Sequence, residues 1–526
     1  IGGIPPCDTV IVMEAELAYY EENADVVQNQ LEIIWVLTCL CLTEYDTSQV
    51  VIYVPARALP PKGSIDTPPD GSWFPEGGAI VFLGSTTGGV TPYSFDWFSD
   101  VDGYLGSGEI ITTNTLTPII RNGEVIPHTI TLKVTDTNLM SDQVYISVFV
   151  FPADFYQEGL IEFFNGKQRA TNFGAVADGD SSENFMWHGT NYMYDGSFIS
   201  TAIDADHMAL DIYNCVHRGM VPVEYLELLS IPLHSANAAR GHYRCASVAG
   251  GAPGVPSEHD SLLVVGIKED SVDFSIKIKI SYNPTNDPIE EVYLSLFEDW
   301  DIGDYAHNYG AMDTLHNLMW QYDVTNPNLV CGSMRAPFYD DLLYNMVFIR
   351  NNQYVHPNSG FCDSVGGFWG LDSLYWLITR TGYFSASTPA TDFSILLTAP
   401  PMDLSPDERH IEVWIDFCRD LQTETWEMWR HKILRYVGFY RGDVNASDIA
   451  DVGDVVYLIN YLFKNGSEPL PYVDQGDVNG DRIVDIGDVV YLINYLFKSG
   501  VPPIDYVRFI EQFWSRPSLF TNPLWK

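Results

Sequence analysis

Residues 443–464 read DVNASDIADVGDVVYLINYLFK, and residues 477–498 read DVNGDRIVDIGDVVYLINYLFK. The two stretches are offset by 34 residues, and 17 of their 22 aligned positions are identical, including the last 12 without a break. Each begins with oxygen-bearing side chains at alternating positions and continues into apolar residues at helical spacing. The duplication therefore predicts two loop–helix units near the C-terminus.

Both loops offer hard oxygen ligands at positions 1, 3, 5, 7, 9 and 12, the pattern with which an EF-hand loop wraps one calcium ion. The ligands predicted for the first loop are Asp443, Asn445, Ser447, the carbonyl of Ile449, Asp451 and Asp454. Those predicted for the second are Asp477, Asn479, Asp481, the carbonyl of Ile483, Asp485 and Asp488. The second loop has one more carboxylate, so we expect it to bind its calcium ion more tightly.

The predicted helices each have one apolar face, and two stripes of equal length are best buried against each other. The stripes comprise Val455, Leu458, Ile459 and Leu462 in the first copy and Val489, Leu492, Ile493 and Leu496 in the second. Asp454 and Asp488 stand at the helix starts, where the exposed amides and the helix dipole favour a carboxylate.

Tandem loop–helix repeats without a leading helix resemble the dockerin family, over about residues 441–505. The resemblance implies calcium binding and a cohesin-like surface partner. Two features depart from the family pattern. Loop position 6, usually glycine, is Asp448 or Arg482, and positions 10 and 11, where many dockerins carry hydroxyl residues that meet a cohesin, are Val452–Gly453 and Ile486–Gly487. Calcium binding therefore carries over better than cohesin binding, and a calcium-locked module packed on its own chain is the alternative.

Composition bounds the remaining functions. The chain has 526 residues, of which 46% are hydrophobic, and a formal net charge of −43. That charge excludes nucleic acid and anionic membranes as partners, because both would be repelled. The most apolar run, residues 31–42, contains Glu32 and is too short to span a membrane, so we predict a buried strand there. The first residues, IGGIPP, suggest a processed mature N-terminus. The duplicated calcium-type repeat implies an extracellular or cell-surface location, and we expect bacterial-type secretion.

The even number of cysteines and the absence of a CxxC pair favour disulfides in an oxidising compartment, with buried free thiols as the alternative. The cysteines are Cys7, Cys39, Cys41, Cys215, Cys245, Cys331, Cys362 and Cys418. Spacing makes Cys215–Cys245 and Cys331–Cys362 plausible pairs, although connectivity cannot be deduced from the sequence.

The fold class predicted is mainly β, with multidomain antiparallel β-sandwiches and the small α-helical calcium module at the C-terminus. Residues 1–60 form an N-terminal β segment with strands at Thr9–Met13, Glu32–Leu37 and Val50–Val54. Residues 61–152 resemble an immunoglobulin-like sandwich of the polycystic-kidney-disease type. They depart from its WDFGDG core, since Phe95–Asp96–Trp97–Phe98 stands there.

Residues 153–405 are predicted to form a large antiparallel sandwich containing strands Ser261–Ile267, Val272–Ser281 and Glu290–Phe297. Residues 406–440 are interpreted as a connecting strand or helix. The acidic run at residues 298–304 follows a strand and fits either a metal site or, preferably, a solvated turn.

Catalysis is not predicted, because no HExxH, GxSxG, phosphate-loop or dinucleotide motif stands in a supporting context. The last segment, residues 506–526, is aromatic and basic, so we expect it to dock, either on a partner or back on its own domain. Its predicted partner-binding residues are Phe509, Phe513, Trp514, Phe520 and Trp525.

The leading hypothesis is a secreted calcium-binding structural or adhesive protein. Its copies would join head to tail through the N-terminal strand and the C-terminal tail to form a filament. The alternatives are a carbohydrate-active component of a dockerin-organised polysaccharide-degrading complex and a monomeric carbohydrate-binding surface protein. Asn465–Gly466–Ser467 is a usable glycan acceptor.

Overall fold

The protein is described by a computed structural model in two compact units, one of residues 1–119 and 126–151 and one of residues 120–125 and 152–526. The structure describes residues 9–20, 32–42, 47–55, 60–121, 124–177, 179, 181–202, 220–231, 235–245, 258–269, 272–336, 342–351, 371–380, 390–421, 426–505 and 508–509. Most regular elements are antiparallel strands, as the alternating β-branched runs predict.

The first unit begins with a three-stranded antiparallel meander of β1 (Thr9–Tyr20), β2 (Glu32–Leu42) and β3 (Thr47–Pro55). These strands contain the three runs predicted for residues 1–60. The strand predicted to be buried is only half-buried, because Cys39 and Cys41 are covered whereas Trp35 is 42% exposed. A three-stranded sheet leaves side chains of both faces open unless a second layer covers them.

The rest of the first unit is a β-sandwich. One sheet has the order β5-β13-β12-β7-β8 and the other β4-β6-β9, and β5 pairs with β13 in parallel. The strands are β4 (Lys62–Thr67), β5 (Ser72–Pro75), β6 (Ile80–Thr87), β7 (Ser94–Ser99), β8 (Gly103–Ser107), β9 (Ile110–Thr113), β12 (His128–Thr135) and β13 (Ser141–Phe151). Trp97 on β7 is fully buried in the core between the sheets and packs on Phe82. A buried tryptophan in the core between two antiparallel sheets is typical of immunoglobulin-like sandwiches.

The second unit contains the predicted large antiparallel assembly. Its described sheets have the orders β16-β19-β25-β30-β29 (with β31 on β25), β20-β22-β23-β24-β32-β28-β27-β26 (with β21 on β22), β14-β15-β17-β18 and β10-β11. The strands are β10 (Ile120–Arg121), β11 (Glu124–Val125), β14 (Glu158–Phe163), β15 (Gly166–Thr171), β16 (Ala175–Ala177), β17 (Phe185–Trp187), β18 (Thr190–Asn191), β19 (Met193–Thr201), β20 (Met220–Pro222), β21 (Glu227–Ile231), β22 (Ala236–Cys245), β23 (His259–Ile267), β24 (Phe274–Tyr282), β25 (Ile289–Trp300), β26 (Asn308–Asp313), β27 (Leu318–Asp323), β28 (Leu329–Arg335), β29 (Asn345–Arg350), β30 (Phe393–Thr398), β31 (Met402–Leu404) and β32 (Arg409–Asp420).

Four α-helices lie among the described residues of the second unit: α1 (Leu371–Thr379), α2 (Trp426–Val437), α3 (Val452–Lys464) and α4 (Ile486–Lys498). None of them is long and apolar enough to cross a membrane. The segment interpreted as a connector, residues 406–440, is instead integral to the large domain. β32 lies between β24 and β28 in the largest sheet, and α2 covers that sheet's outer apolar face. The boundary predicted at residue 405 was therefore wrong, since it cuts a central strand from its sheet.

The two faces of the largest sheet differ in polarity. Along β24, Ile276, Ile278 and their alternate neighbours pack under α2, where Trp429 and Ile433 cover them. The intervening Lys277 and Lys279 are also fully buried, on the opposite face. Because successive side chains of a strand point to opposite faces, the sequence FSIKIKISY is amphipathic. Its polar half is nevertheless buried rather than solvated.

Both cysteine pairs that spacing made plausible are contradicted. Cys331 is bonded to Cys418, not to Cys362, and the two half-cystines face each other across β28 and β32. Cys41 is also disulfide-bonded. Cys245, expected to pair with Cys215, is a buried free thiol, as is Cys39. Cys215 and Cys362 lie outside the described residues.

Candidate functional site

In the first loop, backbone amides hold the carboxylates of positions 1 and 12. Asp443 is 2% exposed and accepts hydrogen bonds from the backbone amides of Ser447 (2.8 Å) and Asp448 (3.1 Å). Asp454 is fully buried, and its Oδ1 accepts from the amides of Val444 (2.9 Å) and Asn445 (3.2 Å). The loop therefore fixes its first and last acids with main-chain donors before any ion is considered.

The second loop repeats this arrangement. Asp488 Oδ1 accepts from the amides of Val478 (2.9 Å) and Asn479 (3.2 Å), the same two positions and distances as in the first loop. Asp477 is 1% exposed and accepts from the amides of Gly480 (2.9 Å) and Arg482 (3.0 Å). The duplicated sequence thus folds into two matching carboxylate cradles.

The acids at positions 9 and 12 also form the helix starts. Asp451 is the N-cap of α3, and its Oδ1 accepts from the Gly453 amide at 2.6 Å while Asp454 Oδ2 accepts from the Asp451 amide at 2.8 Å. Asp485 and Asp488 form the same reciprocal capping box on α4. The sequence placed Asp454 and Asp488 at the helix starts correctly, in the third helical position, whereas the caps themselves are Asp451 and Asp485.

Burial raises the pKa of the Asp454 and Asp488 carboxyls, although the backbone amides that they accept from oppose the shift. In each loop the acid at position 1, Asp443 or Asp477, adds a smaller upward contribution through repulsion. A carboxylate in such a setting is destabilised by desolvation and stabilised by a nearby cation. A bound metal ion would stabilise the ionised form of both carboxyls.

The middle of each loop is more open. Ser447 Oγ donates to the carbonyl of Ile449 at 3.2 Å, and Asp481 Oδ2 accepts from Asn479 Nδ2 at 3.0 Å. The side chains of Ile449 and Ile483 are both 62% exposed and carry no ligand atom, so these residues can ligate only through their carbonyls. The predicted oxygen donors at positions 3, 5 and 7 therefore lie next to one another.

The carboxylates of each loop are not drawn into one tight group. Among the described residues, two groups bring three ligand atoms of His, Cys, Asp or Glu within 4.8 Å of one another: Cys245–Glu258–Asp260 and Asp299–Asp301–Asp392. Neither group belongs to the two calcium-type loops. Asp451 and Asp485 face helix amides instead. Position 9 of an EF-hand loop often reaches its ion through water, which fits this placement.

Loop position 6 has a left-handed backbone in both copies, with φ of 74° at Asp448 and 69° at Arg482. An EF-hand loop places glycine there for the sharp turn. Non-glycine residues in this region are strained, at a cost of about 1 kcal/mol or more each. The absence of glycine at position 6 therefore destabilises the folded conformation of each loop.

The first loop is joined to the large β domain through α2. Arg435 Nη1 donates to Asp443 Oδ2 at 2.9 Å and to Asp448 Oδ1 at 2.7 Å. His431 Nδ1, one turn earlier on the helix, lies 3.6 Å from the same Asp448 oxygen. Asp443, the acid at position 1, is therefore in contact with Arg435 of the large domain as well as being a predicted calcium ligand.

Helices α3 and α4 pack against each other as the sequence predicts. Val455, Leu458, Val489 and Leu492 are buried in their shared core. The remaining members of both predicted stripes are partly buried around this core: Ile459, Leu462, Ile493 and Leu496.

Of the five predicted partner-binding residues, Phe509 is 5% exposed and belongs to the core under α2. Its side chain is therefore used inside the chain, which contradicts its predicted role and agrees with a tail that folds back at this point. The other four, Phe513, Trp514, Phe520 and Trp525, lie outside the described residues.

The acidic run at residues 298–304 divides between two environments. Glu298 and Asp299 end β25 and are buried, whereas Asp304 caps a short 3-10 turn, Tyr305–His307, in the open. Glu298 accepts from Lys277 Nζ at 2.5 Å and from Trp300 Nε1 at 3.0 Å. The prediction of a solvated turn is therefore correct only for the end of the run, at Asp304, and is wrong for Glu298 and Asp299.

Sequence reasoning missed this polar network between the sheets. Lys277 bridges Glu298 and Asp416, and Ser333 Oγ lies within hydrogen-bond distance of both acids. The sequence does contain one indication of it. Apolar and polar residues alternate along β24, which places Lys277 and Lys279 on the same face of the strand. That face can be solvent-exposed or covered by a second sheet, and the sequence alone does not decide which.

No protein-family model matches the chain, and no curated protein matches it. Among solved structures it is similar to a putative aldose 1-epimerase from Escherichia coli K12, with TM-score 0.28 and 9% identity over 51% of this chain and 100% of the other. A complex of Dpr2 Ig1–Ig2 with DIP-Theta Ig1–Ig3 gives TM-score 0.16 and 11% identity over 47% and 68%. Protocadherin gamma B2 cadherin domains 1–5 give 0.14 and 8% over 62% and 70%. These scores are too low to carry an argument about function.

Proposed function

We propose that this is a secreted, calcium-binding structural protein whose two C-terminal loops each hold one calcium ion. The observation that supports this most strongly is the pair of matching cradles, in which Asp443 and Asp454, and likewise Asp477 and Asp488, are oriented by main-chain amides. The donor set consists of oxygens only, which suits a hard cation such as calcium.

Calcium titration of the full chain by calorimetry, with thermal unfolding in calcium and in chelator, tests this proposal. Two binding events and a higher melting temperature in calcium are expected, because an ion that binds only the folded state stabilises it. Asp454→Ala should abolish one event and Asp488→Ala the other. The exposed Asp66→Ala serves as the matched control in the other unit. Unchanged calorimetry in both loop variants would exclude these loops as the sites.

The calcium module acts, in this proposal, as a brace on its own domain. The support is two sets of contacts with α2. Arg435 of that helix pairs with Asp443, and Arg508 donates to the last carbonyls of the helix while it pairs with Asp474. This arrangement favours the alternative of a module packed on its own chain over a free plug for a cohesin-like partner. A cohesin-like partner would have to use the solvent-facing sides of α3 and α4, where Val456 and Val490 are each 51% exposed.

Self-association through the N-terminal meander is the second part of the proposal. β1 is 12 residues long and lies at the sheet edge, and Ile11, Val12 and Met13 are 43%, 53% and 61% exposed. A long, apolar edge strand is a template for pairing with another chain. The partner proposed is the edge strand of a second copy, and repulsion between copies of charge −43 means that salt or calcium should promote pairing.

Sedimentation and electron microscopy in calcium and in chelator would test the assembly. Val12→Lys should reduce oligomers, whereas Val81→Lys, at a similarly exposed site (47%) in the sandwich, should not. Deletion of residues 510–526, which keeps Arg508 and Phe509 in place, tests the contribution of the tail. A chain that stays monomeric in calcium at high concentration and cleaves a polysaccharide would instead support the carbohydrate-active alternative.

A further inference from the structure

A second cluster of metal-binding side chains lies in the large domain, far in sequence from the calcium loops. Cys245 ends β22, and Glu258 and Asp260 flank the start of β23, which is paired with it. The Cys245 amide donates to the Glu258 carbonyl at 3.0 Å, and this bond holds the end of β22 beside the start of β23. One ligand atom from each of the three residues lies within 4.8 Å of the other two, and all three residues are at most 1% exposed.

Glu258 is fully buried, and neither of its carboxylate oxygens has a hydrogen-bond partner. Buried carboxylates are normally paired, hydrogen-bonded or bound to a metal, because desolvation without compensation is costly. Cys245 is likewise a fully buried free thiol, and its Sγ lies 3.9 Å from Asp260 Oδ2. Lys279 is paired with Asp260, so the Glu258 carboxyl and the Cys245 thiol have no direct cationic partner of their own in the cluster.

Tyr243 gives an independent indication. It is fully buried, its hydroxyl makes no hydrogen bond of good geometry, and Lys279 Nζ, which contacts Asp260, lies 6.0 Å from the centre of its ring. Gly174, at φ of 86°, lies beneath the ring, where an added Cβ would stand 3.0 Å from the hydroxyl. A side chain at residue 174 would therefore collide with Tyr243, so glycine is needed there for the tyrosine to keep its buried position.

Asp260 is held in place by the surrounding strands. Ser281 Oγ donates to its Oδ1 at 2.5 Å, and Lys279 Nζ lies 3.1 Å from its Oδ2. Ser200, from the facing sheet, donates to Oδ2 at 3.4 Å. Such outer contacts orient metal-binding carboxylates in known sites. If metal binding ionises the Cys245 thiol, one thiolate and two carboxylates face one ammonium, and one divalent cation neutralises the resulting net charge of −2.

We propose that Cys245, Glu258 and Asp260 bind one divalent transition-metal ion of the zinc class, with the Tyr243 hydroxyl facing the remaining coordination position. The mixed sulfur and oxygen donors select against calcium and magnesium, which take oxygen ligands, and suit zinc or cobalt. The site is distinct from the calcium loops in its donors and in its place in the fold, and it does not depend on the function proposed for them.

The test uses the full chain with its calcium loops saturated. One equivalent of cobalt(II) should bind and produce a thiolate-to-metal charge-transfer absorption, which zinc then displaces. Cys245→Ser should remove the absorption, and Glu258→Gln should weaken cobalt binding at least tenfold. Cys39→Ser, a buried free thiol in the other unit, should change neither.

Melting temperatures of the metal-free variants check that each still folds. Cobalt binding without a thiolate band, or a band that survives Cys245→Ser in a folded protein, would overturn the proposal. Asp392→Asn addresses the oxygen-only group of Asp299, Asp301 and Asp392, so a loss of cobalt binding in that variant alone would place the ion there and refute the assignment to Cys245.

Discussion

Replacing Arg508 with alanine should release the calcium module from the large domain. The side chain is 3% exposed and fans out between two parts of the chain. It donates to the carbonyls of Arg435 and Tyr436 at 2.7 Å each, where α2 ends, and to both carboxylate oxygens of Asp474, at 3.0 and 3.1 Å. Its guanidinium also lies 4.7 Å from the centre of the Tyr472 ring.

The expected loss follows from what would be left behind. Two helix-terminal carbonyls would lose a charged donor, and Asp474, whose side chain is only 27% exposed, would lose one of its two arginine partners. Removing one partner of a buried ion pair costs about 3–5 kcal/mol. Because Asp474 is partly solvated and keeps Arg441, we expect the lower end, about 3 kcal/mol, for opening this contact.

Hydrogen exchange is the appropriate measurement, since it resolves local opening from global unfolding. Amides near the contact, such as those of Gly438 and Gln475, should exchange about 100-fold faster in Arg508→Ala. Arg508→Lys should lie between the two, because an ammonium keeps the charge but cannot fork to four acceptors. Arg121→Ala, at an exposed arginine, is the control. Unchanged exchange at these amides would refute the idea that Arg508 fastens the module.

Three further outcomes are expected. Ser447→Asp should tighten calcium binding of the first loop and Asp481→Ser should weaken that of the second, each about tenfold, and equal affinities in all forms by calorimetry would contradict the argument from charge. Arg482→Gly should raise the free energy of unfolding by about 1 kcal/mol in denaturant melts by relieving a left-handed residue, whereas Asp448→Gly should gain less because it loses Arg435. Glu298→Gln should cost about 1–3 kcal/mol, because Lys277 loses one of the two acids that it bridges but keeps Asp416, whereas Asp416→Asn should cost about 1 kcal/mol or less. Burial, and after it the Glu298 charge, raise the pKa of Asp416 well above 3.8, so asparagine resembles its protonated form. The folded chain thus holds a proton on Asp416 that the unfolded chain releases, so this contribution to stability is complete below pH 3.8 and is lost as the pH rises toward the folded pKa; Asp416→Asn should flatten that decline in pH-dependent melts.

The elements that could be predicted from the sequence are those set by local pattern. The apolar stripes of α3 and α4 and the runs inside β1, β23 and β24 follow from periodicity within a dozen residues. The carboxylates that cap the calcium-type loops were also recognisable, because loop and helix start lie in one continuous stretch.

Long-range pairing was not recognisable. Cys331 bonds to Cys418, 87 residues away, because β28 and β32 are neighbours in the sheet, whereas sequence spacing favoured the nearer Cys362. For the same reason β32 was taken for a connector. The polar face of β24 was misjudged because only the facing sheet, which contributes Ser200 and Glu298, shows that Lys277 and Lys279 are enclosed.

The return of the chain to α2 at residues 508 and 509 has a mechanical consequence. The backbone leaves the large domain after α2, passes through both loops and helices, and is fastened again where the Arg508 amide donates to the Val437 carbonyl at 2.7 Å and Phe509 enters the core. A pulling force on the segment beyond residue 509 is therefore transmitted straight to the β domain. The calcium module forms a closed side loop that such tension bypasses, so its ions would be retained under a pull that strains the sheets.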